Sequence, residues 1–414
     1  MGEAVGGPDP RRVAGLAGLA RELDLLRARA AAGTLRAKVS IEDLARQVRL
    51  PRSTLHRYVT GRTVVPSAVL DRIVIALGAG PAEQRQWNEA WFRVHHGPIS
   101  AVPCGLPAPV RGFVGRAAEL ARLDDIARAG KGLAAVTGGP GVGKTALVVH
   151  WAHRARDLFP DGSLFVDLCG YGPERRTVRP AEAVAALLGC LAPGDELPAE
   201  PAARIARYRS VLAGRTMLVV LDNAVGAEQV RSLLPGAGAG MVVVTGRDDL
   251  TGLVVRDGAD RVDVDVLPLA DALALLGGRD DATVLAERCG RLPLALRVAA
   301  LPGADVDGGL GWLETGDPRT DVRTVFSWSY DVLAEHDPEA AAVFRALGRF
   351  GDQEFELVAV AALVRMTVER ARRVLAALVR ANLVQAAPYG RYRLPHLLGA
   401  YAAELSAGVE SVTA

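Results

Sequence analysis

The sequence contains few cysteines, very few lysines and no long apolar segment. Its four cysteines, Cys104, Cys169, Cys190 and Cys289, are scattered without a Cys-x-x-Cys pair or a histidine cluster at metal-binding spacing. We expect them to be reduced side chains that pack in the interior. No apolar run approaches the roughly 18 to 20 residues needed to cross a membrane, and the start of the chain lacks the basic and apolar parts of a signal peptide. This pattern predicts a cytoplasmic chain with no membrane partner.

What the chain does contain is ample apolar material and an uneven distribution of charge. Half of its 414 residues are hydrophobic and 23% are charged, which predicts packed cores and excludes a mainly disordered chain. At roughly 150 residues per domain, this length predicts about two to four domains. Residues 1–98 carry 15 Lys and Arg against 9 Asp and Glu, whereas residues 99–414 have a net charge of −4. The N-terminal part is therefore the basic part of the chain.

The apolar pattern divides the chain into helical and α/β parts. Residues 11–98 have the periodicity of short helices, and residues 97–110 form a proline-rich linker without a regular period. Short apolar runs without polar alternation then occupy 133–137, 163–168, 216–221 and 241–245, with a shorter run at 261–266. Such runs, separated by helical stretches, are typical of buried parallel strands. We expect a multidomain α and α/β chain, with helical periodicity again from there to about residue 405.

A basic segment at residues 40–62 predicts two helices joined by a tight turn. Ser40 is placed to cap the first helix with Asp43 three residues further on, Pro51 interrupts the pattern, and Gly61 ends the second helix. The spacing of the apolar inner face lets the two helices cross closely, as in a helix-turn-helix, through Leu44, Ala45, Val48, Leu50, Leu55 and Tyr58.

The outward side chains of the second helix are candidates for DNA contact. Residues 36–62 hold seven basic and two acidic side chains, which is the charge balance that binding to phosphates requires. The alternative is a solvated helix face in a helical cap. On the first interpretation the contacts to base edges and phosphates come from Arg52, Ser53, Thr54, His56 and Arg57.

The segment G-G-P-G-V-G-K-T at residues 138–145 follows the first apolar run and precedes an apolar helix. It fits the phosphate-binding pattern G-x-x-x-x-G-K-[ST] in the strand-to-helix setting that gives the pattern its meaning. Backbone N–H groups of such a loop wrap a phosphate chain, Lys144 reaches the β- and γ-phosphate oxygens, and Thr145 ligates Mg²⁺. A chance glycine-rich turn is the alternative. We expect nucleotide contacts from Gly138, Gly139, Pro140, Gly141, Val142, Gly143, Lys144, Thr145 and Ala146.

Polar side chains follow two later strands of the predicted sheet. Asp222 ends a buried run, where a carboxylate that organises Mg²⁺ for catalysis belongs; an aspartate that caps the next helix is the alternative. Asn223 stands where a hydrolytic enzyme often has a second carboxylate, so we expect at most a slow ATPase. Arg247 follows Thr245 at the same edge of the sheet and is a candidate sensor of the γ-phosphate, with an ordinary surface arginine as the alternative.

Taken in this order, the motifs resemble the NB-ARC branch of the STAND signal-transduction ATPases over about residues 111–405. The F-V-G-R segment at 113–116 corresponds to the adenine-contacting segment of that family, which implies contacts from Val114, Gly115 and Arg116. The sequence C-G-R-L-P-L-A-L at 289–296 matches the family's G-L-P-L helix start and implies that Pro293 packs on adenine.

The N-terminal segment resembles the DNA-binding domain of the phage-repressor-like Xre/Cro regulators. Arg49 departs from that family, which usually has a glycine in the turn at this place. Together the two resemblances imply a helix-turn-helix DNA-binding domain at 11–96, a linker at 97–111, a P-loop nucleotide-binding parallel-sheet domain at 112–267, a helical domain at 268–320 and a winged-helix domain at 321–405.

The sequence departs from the NB-ARC pattern at three points, each of which changes a role that the resemblance implies. Gly246 replaces the serine that usually precedes the sensor arginine. The winged helix usually ends in a His-Asp pair whose histidine reads the ADP β-phosphate, but Pro395 and His396 stand here, so either His396 takes over from a shifted register or the ADP-bound state is less firmly locked. Family members usually continue into a repeat domain that senses the signal, whereas this chain ends soon after the winged helix, so we expect the sensor to be a separate protein or absent.

The sequence and the resemblance together predict a transcriptional regulator whose DNA binding is switched by ATP and ADP with Mg²⁺. The resemblance also implies a homo-oligomer in the ATP state. Two alternatives stay open: a P-loop NTPase with a docking domain, and an NB-ARC signalling or defence scaffold whose helix-turn-helix binds protein. Steady turnover well above about 1 s⁻¹ favours the enzyme. DNA binding that does not change with salt favours the scaffold.

Overall fold

The computed structural model describes residues 7–13, 15–34, 36–63, 65–96, 105–130, 132–173, 176–193, 195, 197–236, 240–301, 310–351 and 353–413. The chain divides into two compact units, Met1–Val102 and Pro103–Ala414. The predicted linker at 97–111 falls at this division; its residues 97–104 lie outside the described residues, and residues 105–111 form neither helix nor strand.

The first unit is built from helices around one apolar core. After a short 3₁₀ turn, its elements are α1 (Leu16–Ala30), α2 (Ile41–Gln47), α3 (Arg52–Val59), α4 (Ser67–Ala76) and α5 (Pro81–His96). Every one of these helices contributes fully buried side chains, among them Leu23, Leu44, Leu55, Ile73 and Trp87. Because α2 and α3 each donate an apolar face to this core, their opposite faces are left for solvent or for a partner.

The second unit begins with a five-stranded parallel sheet. Its strands are β1 (Leu133–Thr137), β2 (Ser163–Asp167), β3 (Met217–Ala224), β4 (Gly240–Gly246) and β5 (Asp260–Asp263), in the order β2-β3-β4-β1-β5. The associated helices are α6 (Ala117–Arg128), α7 (Lys144–Arg154), α8 (Pro180–Leu191), α9 (Pro201–Leu212), α10 (Ala227–Arg231) and α11 (Thr251–Asp257). The carboxyl ends of β1, β3 and β4 meet at one edge, which places the phosphate-binding loop, Asp222 and Thr245 there.

A helical region and a small antiparallel sheet complete the second unit. The helices are α12 (Leu269–Leu276), α13 (Ala282–Arg288), α14 (Pro293–Ala299), α15 (Val322–His336), α16 (Pro338–Leu347), α17 (Leu357–Leu363), α18 (Val368–Arg380) and α19 (His396–Thr413). Three short strands, β6 (Phe355–Glu356), β7 (Gln385–Ala387) and β8 (Arg391–Arg393), pair in the order β6-β8-β7. The helical periodicity expected up to about residue 405 is therefore interrupted by strands, and α19 continues beyond it.

One apolar core runs through the second unit. It includes Trp151 beside the parallel sheet, Val243 in β4, Leu285 in α13, and Phe326 and Phe344 in the C-terminal helices, all buried. Because these side chains pack in a single cluster, the C-terminal helices are held firmly against the part of the chain that carries the phosphate-binding loop.

The predicted element types are confirmed, whereas some of their boundaries are wrong. The strand β1 has its predicted bounds, but β3 runs on to Ala224 and β5 ends at Asp263 instead of residue 266. The pairing of β3 with β4 is irregular between Leu221 and Ala224. The sequence does not reveal an irregular register of this kind. An apolar run ends where polar side chains begin, whereas the strand ends where its backbone stops pairing.

The expectation for the cysteines is wrong at Cys190, which takes part in a disulfide. Cys289 is a buried thiol, and Cys169 is a half-buried thiol. Cys104 lies outside the described residues. No helix in the described part of the chain is long and apolar enough to cross a lipid bilayer.

Candidate functional site

The first candidate site is the helix pair α2–α3. The Ser40 hydroxyl accepts a hydrogen bond from the backbone N–H of Asp43 at 3.0 Å and donates to the Asp43 carboxylate at 2.7 Å, so α2 begins at the predicted cap. The Asp43 carboxylate also pairs with Arg36 and Arg46. The hydrogen bond from Ser40 and then that from Arg36 hold the pKa of Asp43 below its ordinary value.

The turn between α2 and α3 places Arg49 in a left-handed conformation, with φ of +52°. The backbone N–H of Leu50 reaches back to the Ala45 carbonyl at 3.0 Å, and this bond closes the turn. Arg49 thus adopts the conformation for which a glycine is usual. The chain folds here because Ala45 and the apolar side chains around it are buried, and that gain offsets the local cost of a left-handed arginine.

The inner face of the helix pair agrees with the prediction at four positions and differs at three. Leu44, Ala45, Val48 and Leu55 are buried, but Leu50 and Tyr58 are only half-buried, and Val59, which was not predicted, is buried. Val59 is four residues from Leu55, the helical spacing that makes the two residues neighbours on one face. The aromatic Tyr58 lies at the border of that face.

The opposite face of α3 presents the predicted contact residues. Arg52, Ser53 and Arg57 are exposed, while Thr54 and His56 are half-buried. The Arg57 guanidinium donates to the Thr63 hydroxyl at 3.1 Å, an uncharged partner that leaves its positive charge uncompensated. The face therefore has the charge and the hydrogen-bond donors that contact with an anionic polymer requires.

The second candidate site is the loop between β1 and α7. The structure places Gly138, Gly139, Pro140, Gly141, Val142 and Gly143 in this loop, and Lys144, Thr145 and Ala146 in the first turn of α7. A Cβ at Gly138 would lie 2.1 Å from the Val264 carbonyl oxygen, so only glycine fits there. Gly143 adopts φ of +89° directly before α7. Backbone N–H groups at the start of a helix bind anions, and this loop places the start of α7 at the carboxyl edge of the sheet.

Lys144 lies across this loop. Its Nζ donates to the carbonyl oxygens of Gly138 at 2.7 Å and Gly139 at 2.8 Å. Loss of water around the ammonium group, and next the positive charge of Arg247, lower the pKa of Lys144 to about 7. A negatively charged ligand in the loop would favour the charged lysine, because opposite charges stabilise each other in a site shielded from water.

Asp222 forms the centre of a cluster of oxygen ligands. Its carboxylate accepts from the Thr145 hydroxyl at 2.9 and 3.0 Å and from the buried Thr245 hydroxyl at 2.6 Å. Burial raises its pKa to about 6 against the opposing hydrogen bonds. Asp222 was expected at the tip of its strand but lies inside β3, two residues before the end. The Thr145 hydroxyl and the Asp222 carboxylate together offer oxygen ligands of the kind that Mg²⁺ prefers.

The described residues contain no cluster of three or more His, Cys, Asp or Glu side chains that would enclose a metal ion. A Mg²⁺ site made of Thr145 and Asp222 is of the kind that takes its other ligands from water and phosphate oxygens.

Asn223 is held by its neighbours on every side. Its amide nitrogen donates to the Tyr171 carbonyl at 2.9 Å and to the Asp167 carboxylate at 3.2 Å, and its amide oxygen accepts from the Tyr171 N–H at 3.2 Å. Its backbone adopts φ of +59°. An amide engaged in this way has neither the basicity nor the freedom to activate a water molecule.

Arg247 is half-buried and contacts the C-terminal helix α15. Its Nη1 donates to the Val325 carbonyl and to the buried Ser329 hydroxyl of α15, each at 2.7 Å. The guanidinium carbon lies 4.8 Å from the Tyr171 ring centre and 5.7 Å from that of Trp328. Burial lowers the pKa of Arg247 to about 10. Arg247 is thus tied to α15, and this partner helix was not predictable from the sequence around Arg247.

A cavity of about 580 Å³ lies between the loop after β1 and the C-terminal region. Its lining includes Gly139 from the loop, Leu292 before α14, Asn382 after α18, Arg393 in β8 and His396 at the start of α19. His396 is exposed and begins α19 directly after Pro395. The sequence indicated His396; Arg393 and Asn382 were missed because they lie more than 200 residues from the loop that they face.

The other two predicted segments pack against the same loop. Pro293 begins α14, and its Cβ lies 4.0 Å from where a Cβ at Gly143 would stand. Arg116 is buried and donates to the Val142 carbonyl at 2.9 Å. Val114 and Gly115, just before it, are half-buried. Pro293 and Arg116 are thus neighbours of the phosphate-binding loop.

The fold defines a class of protein. The chain joins an N-terminal helix-turn-helix domain to a P-loop NTPase-like domain with a parallel sheet, and a family model described as a helix-turn-helix domain matches residues 19–87. The predicted fold class and the predicted helix-turn-helix are confirmed by these findings.

Two curated proteins resemble the greater part of the chain. It is 37% identical over 335 residues to the regulatory protein AfsR of Streptomyces coelicolor, and 37% identical over 330 residues to the regulatory protein AfsR of Streptomyces griseus. Each match covers 72% of this chain, which spans about a third (33%) of the length of these relatives. Among solved structures, a Walker-type ATPase of Pyrococcus abyssi matches 72% of this chain and 98% of its own, with 14% identity and a TM-score of 0.48.

Proposed function

We propose that this chain is a DNA-binding transcriptional regulator whose affinity for DNA is set by the adenine nucleotide held at the loop after β1. The likeness to regulatory proteins supports the regulatory role, and the exposed face of α3 supports contact with DNA. The observation that carries the nucleotide dependence is the pair of hydrogen bonds from Arg247 to α15, because they join the phosphate-binding edge of the sheet to the C-terminal helices.

The residues around the loop fit a nucleotide with Mg²⁺. Gly138 and Gly143 keep the loop backbone open, Lys144 is the cation of the loop, and Thr145 with Asp222 offers oxygen ligands for the metal ion. When bound, Mg²⁺ supplies positive charge that neutralises phosphate oxygens. Pro293, Val114 and Arg116 are proposed to hold the base, and His396 the phosphate chain from the side of α19.

Arg247 transmits the state of this site. Its Nη1 group is engaged by Val325 and Ser329, so an Arg247 drawn towards the phosphate-binding loop leaves both α15 oxygens without their donor. A ligand shifts such a two-state contact only by the difference in its affinity for the two states. ATP and ADP differ in the γ-phosphate, and Arg247 is the side chain that we propose to read that difference.

A second set of contacts accompanies Arg247. Asn382, after α18, donates to the backbone carbonyl of Arg247 at 2.8 Å, and Gln385 in β7 donates to the Asp265 carboxylate at 2.9 Å. Together with α15 these contacts hold residues 321–405 against the sheet edge. We propose that this part is a winged-helix lid of the STAND NB-ARC type, which opens in the ATP state, exposes a surface for self-association and responds to a separate sensor protein.

Hydrolysis is slow in this proposal. Asp222 is engaged by two hydroxyl groups and the amide of Asn223 is not a base, so neither of these two residues is placed to take a proton from water. A slow reaction suits a switch, since each nucleotide state then lasts long enough to be read.

Lys144→Ala tests the proposal. We expect weaker binding of ATP and ADP by isothermal titration calorimetry, and DNA binding that no longer responds to either. Arg154→Ala is the matched control, because it removes one positive charge from the exposed far end of the same helix. Nucleotide affinity and DNA binding that are both unchanged in Lys144→Ala would contradict the proposal.

A further inference from the structure

The chain contains a second pair of helices with the same local plan as α2–α3. In both pairs the first helix has seven residues, an arginine stands two residues after its end, and the second helix begins three residues after that arginine. The second pair is α17–α18, with Arg365 in the position of Arg49. The two pairs are therefore comparable residue by residue, although they lie 316 positions apart.

The turns of the two pairs have the same backbone geometry. Arg49 has φ of +52° and Arg365 has φ of +54°, both left-handed. In each turn the residue after the arginine donates its N–H to the carbonyl five residues earlier at 3.0 Å, Leu50 to Ala45 and Met366 to Ala361. The turn of α17–α18 therefore follows the same backbone path as the turn of the helix-turn-helix pair α2–α3.

The second helices of the two pairs also match in burial. Leu55 and Val59 of α3 correspond to Ala371 and Leu375 of α18, and all four are buried. The exposed Arg57 corresponds to Arg373, which is exposed as well, and its neighbour Arg372 is likewise exposed. The outward face of α18 thus has the same position relative to its turn as the candidate DNA-contact face of α3 has relative to the α2–α3 turn.

This face belongs to the most basic part of the second unit. Residues 364–393 contain seven arginines and one glutamate, whereas the rest of residues 99–414 carries 27 basic and 37 acidic side chains. The seven arginines are all exposed: Arg365, Arg370, Arg372, Arg373, Arg380, Arg391 and Arg393.

Carboxylates compensate part of this charge. Arg370 forms an ion pair with Glu339. The guanidinium of Arg391 pairs with two carboxylates, that of Glu354 at 3.5 Å and that of Glu356 at 3.6 Å. Within the described part of the chain, Arg372 and Arg373 form no ion pair with a carboxylate. Their charges are the ones left for an external anion.

The hairpin β7–β8 follows α18 in the chain and has an exposed tip. Tyr389, between Pro388 and Gly390, is fully exposed, with a relative accessibility of 101% for the whole residue. A helix and a two-stranded hairpin are the two shapes that the major groove of duplex DNA, about 12 Å wide, admits. A tyrosine hydroxyl at a hairpin tip can donate to a phosphate oxygen.

We propose that α17–α18 and the β7–β8 hairpin form a second helix-turn-helix surface, which contacts the phosphates of duplex DNA through Arg372 and Arg373. A duplex presents about one phosphate charge per 1.7 Å of its axis. Two adjacent arginines without carboxylate partners can therefore each meet a phosphate of the same duplex, whereas an isolated anion would engage only one of them. The inference goes beyond the proposed function, since it requires neither nucleotide nor α3. A second contact on one chain raises the effective concentration of the first on the same DNA.

The experiment measures the binding of the full chain to a labelled mixed-sequence duplex by fluorescence anisotropy, over NaCl concentrations between about 50 and 300 mM. Arg372→Ser/Arg373→Ser removes the two charges. Arg154→Ser/Arg256→Ser removes two exposed arginines from the ends of α7 and α11 as the matched control. Arg372→Lys/Arg373→Lys keeps the charge without the guanidinium groups. Circular dichroism checks that every variant is folded.

We expect the slope of log Kobs against log[NaCl] to fall in magnitude by about 1.8 in Arg372→Ser/Arg373→Ser, near 0.9 for each phosphate that an arginine no longer neutralises. The lysine variant is expected to restore the slope, and the control to keep it. A slope in Arg372→Ser/Arg373→Ser equal to that of the control would overturn the proposal.

Two further outcomes separate this inference from neighbouring ones. Arg52→Ser/Arg57→Ser tests α3 in the same assay. Binding that survives in this variant and disappears when Arg372→Ser/Arg373→Ser is added supports the second surface even where the role proposed for α3 fails. If Arg372→Ser/Arg373→Ser no longer binds phosphatidylglycerol-containing vesicles and keeps its DNA slope, the surface contacts lipid and the proposal is overturned.

Discussion

At the scale of single residues, the left-handed backbone of Arg49 is a clear local cost within the α2–α3 turn. A side chain with a Cβ in this conformation is less favourable than glycine by roughly 1 kcal/mol. The turn forms nevertheless, since the buried positions on both sides of it require the two helices to meet at this angle.

Arg49→Gly is therefore expected to stabilise the helix pair by about 0.5 to 1 kcal/mol, reduced from the full conformational gain because glycine also makes the unfolded chain more flexible. The measurement is amide hydrogen exchange of α2 and α3. Arg46→Gly is the control, since Arg46 lies inside α2 and its replacement should cost about 1 kcal/mol there. Faster exchange in Arg49→Gly than in the unmodified chain would contradict the account of the turn.

The thiols of Cys289 and Cys169 differ in their surroundings. Cys289 is fully buried, and burial raises the pKa of its thiol to about 12, whereas Cys169 is half-buried and lines a small polar cavity beside Tyr171. The thiolate is the form that reacts with alkylating agents, so a raised pKa together with burial suppresses reaction.

We expect iodoacetamide at pH 8 to modify Cys169 in the native chain and to leave Cys289 unmodified until the chain unfolds. Peptide mass spectrometry before and after addition of denaturant distinguishes the two sites. Equal modification of both cysteines in the native chain would show that the α13–α14 region is open to solvent, against the packing described here.

At the scale of elements, local patterns predicted the parts of the site that are continuous in sequence. The strand β1, the loop after it and the start of α7 lie within a few residues of one another, so glycine spacing and an apolar run were sufficient to define them. The α2–α3 pair was predictable for the same reason, because a cap, a proline and a glycine mark its ends.

The contacts between distant elements were not predictable in this way. Arg247 was recognised as a candidate, but its partners Val325 and Ser329 lie about 80 residues further along the chain, and nothing in S-W-S-Y marks a serine that faces an arginine. The strand end after Asp222 was also missed. An irregular strand register is decided by tertiary packing, which overrides the local pattern.

Ser329→Ala tests the contact between Arg247 and α15. Since the buried Ser329 hydroxyl accepts a hydrogen bond from a charged guanidinium group, its removal should cost about 1.5 to 3 kcal/mol, seen as a lower midpoint of urea unfolding. Trp328, next to Arg247, reports the transition by fluorescence.

Ser327→Ala is the matched control in the same helix. Ser327 is half-buried and donates only to the Thr324 carbonyl one turn earlier, so its removal should cost within about 0.5 kcal/mol. An effect of Ser329→Ala no larger than that of Ser327→Ala would mean that Arg247 does not hold α15 in solution.

At the scale of the whole molecule, the proposed switch requires the nucleotide site and the DNA-binding face to influence each other. The helix-turn-helix domain and the P-loop domain belong to separate compact units. The effect of bound nucleotide on DNA affinity therefore has to be measured in solution. Coupling free energies between sites in proteins are typically about 1 to 3 kcal/mol, which corresponds to roughly 5- to 150-fold in affinity.

The most direct measurement of the central claim is the DNA affinity of the full chain with ADP and with a slowly hydrolysed ATP analogue, at one fixed salt concentration. The account predicts that the two affinities differ by about tenfold or more, and that Lys144→Ala removes the difference. Saturating binding of both nucleotides with the same DNA affinity in each state would contradict it.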